Sequence, residues 1–438
     1  MKRLIFIACC FITCCLFPFL GIAQQELSLE EAIAVALENN YDIRLVSKDV
    51  AIAENNVTVG NAGMLPSVSA DVSSAAGIQN TTQTLLSGET RAVRGNRTRS
   101  SAYGASLDWT IFDGLQMFTR YEQLKELKAL GEANLKAAIL ATVYDVVSSY
   151  FDLVQQQQLI SAIQTALDLS AFRYQTAENR YQIGRASKLE VLAASVDLNT
   201  DTTNLLRQRD QFRSAQIRLN ELLARDVNTT FSVADTIIIG NDLHYESLNQ
   251  QAKELNPTLQ SAIVNHRIAQ LELKRVKGER YPVVNVSSAY TRSQSRTQLG
   301  FSTQSKSNGF SYGISASMNV FNGFQQRRNE RNAAFAMDAA EIEVDQVKQN
   351  IEAQLLAAYE TYLMNLELVR LEERNKDIAQ QNMDITLEKF KLGSIAPLEF
   401  REAQRNFVDA SARFSTAQYQ AKLAEITLNQ IAGTLKMK

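Results

Sequence analysis

The segments YQIGRASKLEVL, residues 181–192, and FKLGSIAPLEFR, residues 390–401, carry one short pattern twice. In each, an aromatic residue, a variable residue, an aliphatic residue and a glycine are followed, after four more residues, by a Leu-Glu pair. Gly184 and Gly393 lie 209 residues apart, and the Leu-Glu pairs keep the same offset. Repetition at a fixed offset is typical of an internally duplicated chain.

The same offset recurs away from the glycine turns. GASLDWTIFDGLQ, residues 104–116, matches GISASMNVFNGFQ, residues 313–325, again 209 positions apart. Further upstream, Pro66 and Pro282 match at an offset of 216, so seven additional residues fall between Pro66 and Gly104. Loop tips tolerate such length changes. We therefore predict two tandem structural repeats, residues 24–235 and 236–438.

Each repeat is predicted to contain a helix, two strands, a long helix, the glycine turn and a final helix. In the first repeat the strands lie at about 66–80 and 101–112, and the later helices at 115–182 and 186–224. In the second repeat the corresponding ranges are about 282–295, 310–321, 324–391 and 395–432. The long helices have apolar residues at steps of three and four and contain no proline, which indicates coiled-coil packing. Each would extend about 100 Å, so the sequence predicts a rod or tube.

The second strand of each repeat alternates in polarity. In SAYGASLDWTIF, residues 101–112, apolar side chains such as Tyr103 and Leu107 share one face, and small polar ones such as Ser106 share the other. A transmembrane β-barrel and a soluble sheet with one solvated face both predict this alternation. The small residues of the polar face and the aromatic strand ends favour the barrel. Four strands do not close a barrel. Three chains would therefore contribute four strands each to a single barrel of twelve strands.

Residues 1–23 have the three parts of a secretory signal peptide: basic Lys2 and Arg3, an apolar stretch over 4–17, and a small-residue cleavage site at 21–23. A retained membrane anchor is the alternative, and Pro18 and Gly21 favour cleavage. All four cysteines lie in this segment, so the mature chain is predicted to have neither disulfides nor thiolate chemistry. No run of 18 apolar residues follows Ala23, so we predict no transmembrane helix.

Charge and chemistry exclude several classes of function. The chain has 45 basic and 47 acidic residues, and loss of Lys2 and Arg3 leaves a net charge of −4, which gives no basic field for nucleic acid. His244 and His266 are the only histidines and lie in unrelated contexts, without ligands at metal-binding spacing. No phosphate loop or nucleophile motif occurs. The sequence therefore predicts neither an enzyme nor a metal site.

The two strand-to-helix junctions are Phe112-Asp113-Gly114 and Phe321-Asn322-Gly323. Asp or Asn at such a point can cap the first helical turn, and glycine permits a sharp change of direction. We therefore predict a structural role for both junctions and no chemical role for Asp113.

The order of these elements, the F-[DN]-G junctions and the [YF]-x-[IL]-G turns resemble the TolC-like outer-membrane efflux proteins, over nearly all of the mature chain. The resemblance implies mixed α and β structure: a homotrimer with a twelve-stranded barrel in outer-membrane lipid and a twelve-column helical tunnel in the periplasm. It also implies an exit duct for efflux or type I secretion, without a cofactor, that engages a periplasmic adaptor and an inner-membrane pump. Two alternatives stay open: a periplasmic structural or adaptor coiled-coil protein, and a passive porin.

The resemblance assigns roles to the glycine turns, which in this family form the periplasmic end of the tunnel. It implies that Gly184, Arg185, Gly393 and Ser394 lie at hairpin tips that dock the adaptor. Acidic residues six and nine positions after the second glycine narrow the aperture in similar proteins. In this chain those positions hold Glu399 and Glu402; a solvated helix face is the alternative role for them.

In family members with a latched aperture, an acidic residue six positions after the first glycine bonds to an aromatic hydroxyl and an arginine of the second repeat. Glu190 occupies that acidic position. Phe390 lacks the hydroxyl and Ile395 is not basic, so this chain departs from the pattern. Arg185 and Arg401 are the candidates to replace the missing arginine.

Overall fold

The computed structural model describes residues 26–240, 242–298 and 302–434. The predicted signal peptide lies outside these described residues. The chain divides into two compact units that each combine segments of both predicted repeats. One unit contains the described residues up to Leu45 with Lys136–Asn256 and the described residues from Asn350, and the other contains Val46–Leu135 and Pro257–Gln349. The mixed α and β class is confirmed.

The second unit contains one antiparallel sheet of four strands in the order β1-β2-β3-β4. The strands are β1 Ser67–Thr84, β2 Thr90–Phe112, β3 Val283–Arg296 and β4 Gln304–Ser317. Strands β1, β2 and β4 therefore extend beyond their predicted ranges into the segments between the predicted strands, and β4 ends at Ser317, before the predicted end at 321. Backbone pairing between neighbouring strands continues there, as in the pair Thr84↔Thr90 next to the β1–β2 turn.

The strand register collects the alternating apolar residues on one face of the sheet. Leu107 of β2 pairs with Val68 of β1, and Tyr103 pairs with Val72. On the other side of β2, Trp109 pairs with Val286, which continues the same face across β3 and β4. These side chains are largely exposed within the single chain; Tyr312, for example, is 83% exposed. The opposite face carries small residues such as Ser69 and Ser106, whose hydroxyls are 2.8 Å apart.

The helices of the described residues are α1 Leu29–Asn39, α2 Tyr41–Asn56, α3 Gln116–Gln182, α4 Lys188–Leu222, α5 Tyr245–Leu255, α6 Pro257–Gly278, α7 Gln325–Lys391 and α8 Pro397–Ile431. The helix predicted before each strand pair is thus two helices. They separate at Asn40 and Asn256, which both leave the helical backbone conformation. Asn256 precedes Pro257, and a residue before proline avoids the helical region for steric reasons.

The main core of the first unit forms where α3 packs against α1, the end of α4 and the segment that follows α4. Val146, Leu153 and Val154 of α3 are fully buried, as is Leu219 of α4. Tyr150 holds the segment before α1 against this core, since its hydroxyl donates to Leu27 O at 3.0 Å. Helix α3 also contains an 18-residue stretch apolar enough, by length and composition alone, to cross a membrane, and half of that stretch is buried.

Candidate functional site

The two glycine turns have the same backbone geometry. Gly184 and Gly393 have φ of 74° and 72°, a left-handed conformation that costs L side chains about 1–2 kcal/mol. In the first turn, Gly184 N–H donates to Tyr181 O and Arg185 N–H donates to Arg180 O. The second turn repeats both bonds, with Gly393 donating to Phe390 and the next amide to Lys389. This paired arrangement closes the C-terminus of a helix and satisfies its last carbonyls.

The helices that leave the turns begin differently. Ser187 caps α4, with its hydroxyl oxygen accepting from Glu190 N at 3.3 Å, as expected for a Ser-x-x-Glu start. Helix α8 has no side-chain cap, and Ala396 precedes Pro397 at its first position, where proline has no amide hydrogen to leave unpaired. Ser394 instead donates its hydroxyl to Lys389 O at 3.0 Å. The serine side chain of the second turn therefore bonds to α7, and that of the first turn bonds to α4.

Matched apolar side chains are exposed around both turns. Leu189 and Leu398, the equivalent residues of the two Leu-Glu pairs, are each 76% exposed. Leu392 precedes the second glycine and is also exposed. A groove of about 1190 Å³ is lined by Leu192 and Val196 of α4 and by residues of α8. The single chain thus presents apolar surface at both tips.

Glu190 is half-buried, and its carboxylate pairs with Arg180 at 3.3 Å. Among the described ion pairs, neither Arg185 nor Arg401 reaches Glu190, and Arg401 pairs with Asp201 instead. Replacement of the missing latch arginine by either residue stays a prediction. Arg180 precedes the first glycine by four residues and lies on the last turn of α3, which brings its side chain back to the start of α4.

Glu399 and Glu402 differ from Glu190 in their surroundings. Both are exposed, and among the described residues no cation lies within salt-bridge distance of either carboxylate. They lie three positions apart near the start of α8, which places them on one side of the helix. The structure therefore brings these two together and keeps Glu190 on the other hairpin, neutralised by its own arginine.

Phe390, which occupies the position of the missing hydroxyl, has a packing role. Its ring stacks on Phe400 with a centroid separation of 5.1 Å and an interplanar angle of 13°. Phe400 is fully buried and Phe390 is 6% exposed. An apolar contact thus joins α7 to α8 just before the second turn.

A polar cluster that the sequence analysis missed lies between the hairpins. Arg401 of α8 bonds bidentately to Asp201 of α4, with Nη1–Oδ2 and Nη2–Oδ1 distances of 2.6 and 3.0 Å. Ser170 of α3 donates to the same carboxylate at 2.5 Å. Gln404 donates to Ser170 Oγ at 2.8 Å. The cluster therefore joins α3 and α4 of the first repeat to α8 of the second.

Arg173 and Asp197 extend this cluster by a further short ion pair between α3 and α4. Burial lowers the pKa of Arg173, with partial compensation from the Asp197 carboxylate. Burial acts in the same direction on Arg401, but the hydrogen bond and charge of Asp201 outweigh it and raise the pKa of Arg401. Both guanidinium groups depend on their carboxylates for charge compensation in this buried place.

The missed residues do leave a signal in the sequence. From Val191 to Gln208, the buried residues of α4 recur at steps of three, four or seven, and Asp201 and Gln208 occupy this stripe beside Val191, Ala194 and Leu205. Gln404 likewise lies among the buried Phe400, Ala403 and Phe407 of α8. Polar residues in an apolar stripe are commonly paired, so the stripe could have identified candidates, although it does not reveal their partners.

The strand-to-helix junctions are positioned as caps. Asp113 Oδ1 accepts from Met117 N at 3.1 Å, and Asn322 Oδ1 accepts from Gln326 N at 3.2 Å. Gly114 and Gly323 have φ of 73° and 65°. Phe112 ends β2, whereas Phe321 lies beyond β4 and contacts the ring of Phe324 edge-on. Across the described residues, no group of three or more His, Cys, Asp or Glu is arranged to hold a metal ion.

Comparison with known proteins identifies the family to which the sequence is similar. The model of the outer membrane efflux protein family matches residues 32–225 and 248–434. The outer membrane efflux protein BepC of Brucella suis is 21% identical over 95% of this chain and 87% of its own length. Nodulation protein T of Rhizobium leguminosarum bv. viciae is 22% identical over 92% of this chain and 82% of its own.

The fold is similar to that of the Campylobacter jejuni CmeC outer membrane channel, with a TM-score of 0.77 and 16% identity over 92% of this chain and 85% of that one. The family match, unlike this structural likeness, rests on the sequence of both halves of the chain. It covers most of the residues, including the glycine turns, both junctions and the buried polar cluster. The chain belongs to the outer membrane efflux protein family.

Proposed function

We propose that this chain forms the outer-membrane exit duct of a tripartite efflux or type I secretion system. In this role a homotrimer carries substrates from an inner-membrane pump across the periplasm and the outer membrane. The observation that carries the proposal is the open sheet, which presents an apolar face and leaves the outer edges of β1 and β4 without a neighbouring strand among the described residues. An unpaired edge in lipid leaves backbone groups unsatisfied. Further copies must therefore close the sheet.

Three copies give twelve strands, which lies within the range of closed outer-membrane barrels. The helices favour the same assembly, since α4 exposes Leu192, Val196 and Leu206 within the single chain. Exposed apolar side chains in such number on one helix indicate a protein partner. A second copy of the chain supplies such a partner without any further component.

At the hairpin tips, the duct meets its partners. Gly184, Arg185, Gly393 and Ser394 form the surface that docks a periplasmic adaptor. Glu399 and Glu402 have unpaired carboxylates on one side of α8, so three copies would place six negative charges around the aperture. Glu190 contributes less charge, since Arg180 neutralises it.

The family disfavours an enzyme and a soluble adaptor, and a passive porin is the remaining competitor. To test the duct, the protein is purified in detergent, its copy number is measured by native mass spectrometry, and it is reconstituted in planar bilayers. The duct predicts trimers with a small conductance. Solubility without detergent would favour the adaptor, and a large constitutive conductance would favour the porin.

A further inference from the structure

The face of the sheet that carries the apolar residues ends in a row of cations. At the end of the strands away from the helices, this face holds five positively charged side chains: Arg97, Arg99, Arg292, Arg296 and Lys306. All five are exposed. On the opposite face at the same level, the β3 and β4 residues are serines, Ser293, Ser295, Ser305 and Ser307. At this level of the sheet the positive charge is thus confined to one face.

Along β3 and β4, the strand pairing orders this face into three layers, whereas on β2 the aromatic Trp109 lies level with Val286 and Tyr103 lies level with Arg292. Nearest the helices are aliphatic residues, as in the pair Val286↔Ile314. The pair Tyr290↔Phe310 follows. Two residues further along, about 7 Å, is Arg292, and Arg296 lies a further 14 Å or so beyond it. This order, from aliphatic through aromatic to cationic side chains, matches the increase in polarity from the interior of a lipid leaflet to its headgroups.

The cations have no protein carboxylates to balance them. Arg99 and Arg296 are direct cross-strand partners, an arrangement of like charges that destabilises a sheet unless an anion lies between them. No Asp or Glu occurs on this face of the described strands, and among the described ion pairs none includes any of the five cations. Arg97 and Arg99 of β2 also line an open groove with Arg296 of β3. The face therefore has room and charge for an external anion.

We propose that these five cations bind the phosphate groups of an anionic lipid in the outer leaflet of the outer membrane. The inference rests on the proposed function, since it needs the apolar face in lipid with the strand loops outside. A lipid satisfies both halves of the face, because its acyl chains cover the aliphatic and aromatic layers while its phosphates reach the arginines. Arginine suits this role through its bidentate geometry with phosphate.

The test measures lipid binding to purified trimers by native mass spectrometry, with diphosphoryl lipid A, monophosphoryl lipid A, phosphatidylcholine and inorganic phosphate as separate probes. We expect tightest binding of diphosphoryl lipid A. Each arginine near a charged lipid surface contributes about fivefold, so the triple variant R99Q/R292Q/R296Q is expected to bind it about a hundredfold more weakly. R99K/R292K/R296K retains the charge but not the bidentate geometry, so it is expected to lose clearly less affinity than the glutamine variant.

A control with the same loss of charge is R327Q/R328Q/R331Q on α7, outside the sheet, which should bind lipid A as the unaltered protein does. Equal affinity of the unaltered protein for lipid A and phosphatidylcholine would overturn the inference, and this arm does not depend on any variant folding. Equal losses in both triple variants would also overturn it, as would binding of inorganic phosphate alone at the same arginines. If the protein forms conducting trimers that bind all the lipids equally well, only this inference is refuted. If the protein does not form trimers, the proposed duct is refuted.

Discussion

Arg401 and Asp201 join the two hairpins through a bidentate ion pair that lies eight residues beyond the second glycine turn. Their two N–O distances are 2.6 and 3.0 Å, and the side chains are 14% and 9% exposed. Buried ion pairs stabilise little relative to apolar packing, but removal of one partner leaves an uncompensated charge. The main effect of the pair is therefore to disfavour any arrangement of the hairpins that separates Arg401 from Asp201.

Asp201→Ala is expected to destabilise the helical unit by about 3–5 kcal/mol, since Arg401 would remain buried without its carboxylate. The double variant D201L/R401M removes both charges and is expected to recover most of that loss. Denaturant unfolding of the purified protein, followed by helical circular dichroism, measures both changes.

The control for this pair is Glu367→Ala, which breaks an exposed ion pair with Arg370 on α7. Exposed pairs contribute about 0–1 kcal/mol, so this variant should unfold nearly as the unaltered protein does. If D201A and E367A lose the same stability, the buried cluster has no special role in holding the hairpins.

Neutralising the proposed acidic ring should change ion conduction without changing assembly. In E399Q/E402Q a trimer loses six exposed negative charges, so block by divalent cations is expected to weaken about tenfold, equivalent to roughly 1.4 kcal/mol of lost attraction. Cation selectivity should fall in the same variant. Planar-bilayer recordings over a range of magnesium concentrations measure both.

Glu190→Gln is the comparison for the acidic ring, because Glu190 is already paired with Arg180. We expect a smaller change in divalent block from this variant. Identical conduction by E399Q/E402Q and the unaltered trimer would exclude these two residues from the aperture.

The glycine turns allow a test that separates folding from docking. Gly393 has φ of 72°, and a Cβ added there would meet nothing within 4 Å, so Gly393→Val adds about 1–2 kcal/mol of backbone strain without a clash. If the turn docks an adaptor, export should be lost while trimers still assemble. Gly88→Val imposes comparable strain in the β1–β2 turn, where φ is 84° and the space is also open. Equal export by both variants would argue against docking at the tips.

The periodic parts of this fold follow from the sequence. Apolar steps of three and four predicted both long helices, and strict alternation predicted which strand residues share a face, because each depends on local spacing alone. The resemblance to outer-membrane efflux proteins is confirmed by the family match. The two-repeat division and the tip and aperture residues stay predictions.

The sequence predicted the partners of individual side chains less well than the helices and strands. Arg180 and Glu190 are only ten residues apart across the turn. The sequence did not predict this pair, because the family pattern places the partners of the acidic residue in the second repeat. Arg401 and Asp201 are 200 residues apart, and neither residue type at its position determines which helix it faces. The extension of β2 back to Thr90 was also missed, since polar, glycine-containing sequence is typical of loops as well as of barrel strands above the membrane.

Tyr362 provides a prediction for high pH. Its hydroxyl donates to Gly240 O, and burial, with a contribution from Glu425, raises its pKa to about 12. Because the folded pKa lies above the unfolded value of about 10, this group stabilises the fold fully below pH 10 and loses that contribution as the pH rises through 12. Unfolding followed between these pH values should show a steeper loss of stability in the unaltered protein than in Tyr362→Phe. Equal slopes would contradict the assignment.

The two strand-to-helix glycines have nearly the same φ but different neighbours, and this difference predicts different costs of substitution. A Cβ at Gly114 would collide with the carbonyl oxygen of Gly278 and contact Tyr281, whereas a Cβ at Gly323 would meet nothing within 4 Å. Gly323→Ala should therefore cost only the left-handed strain of about 1–2 kcal/mol. Gly114→Ala should cost at least twice as much, since the backbone of α6 must move. Thermal unfolding of the two variants compares these costs directly. Equal shifts in melting temperature would mean that the junction near α6 relaxes freely. The close approach of Gly114 to Gly278 would then not determine the direction of α3 as it leaves the sheet.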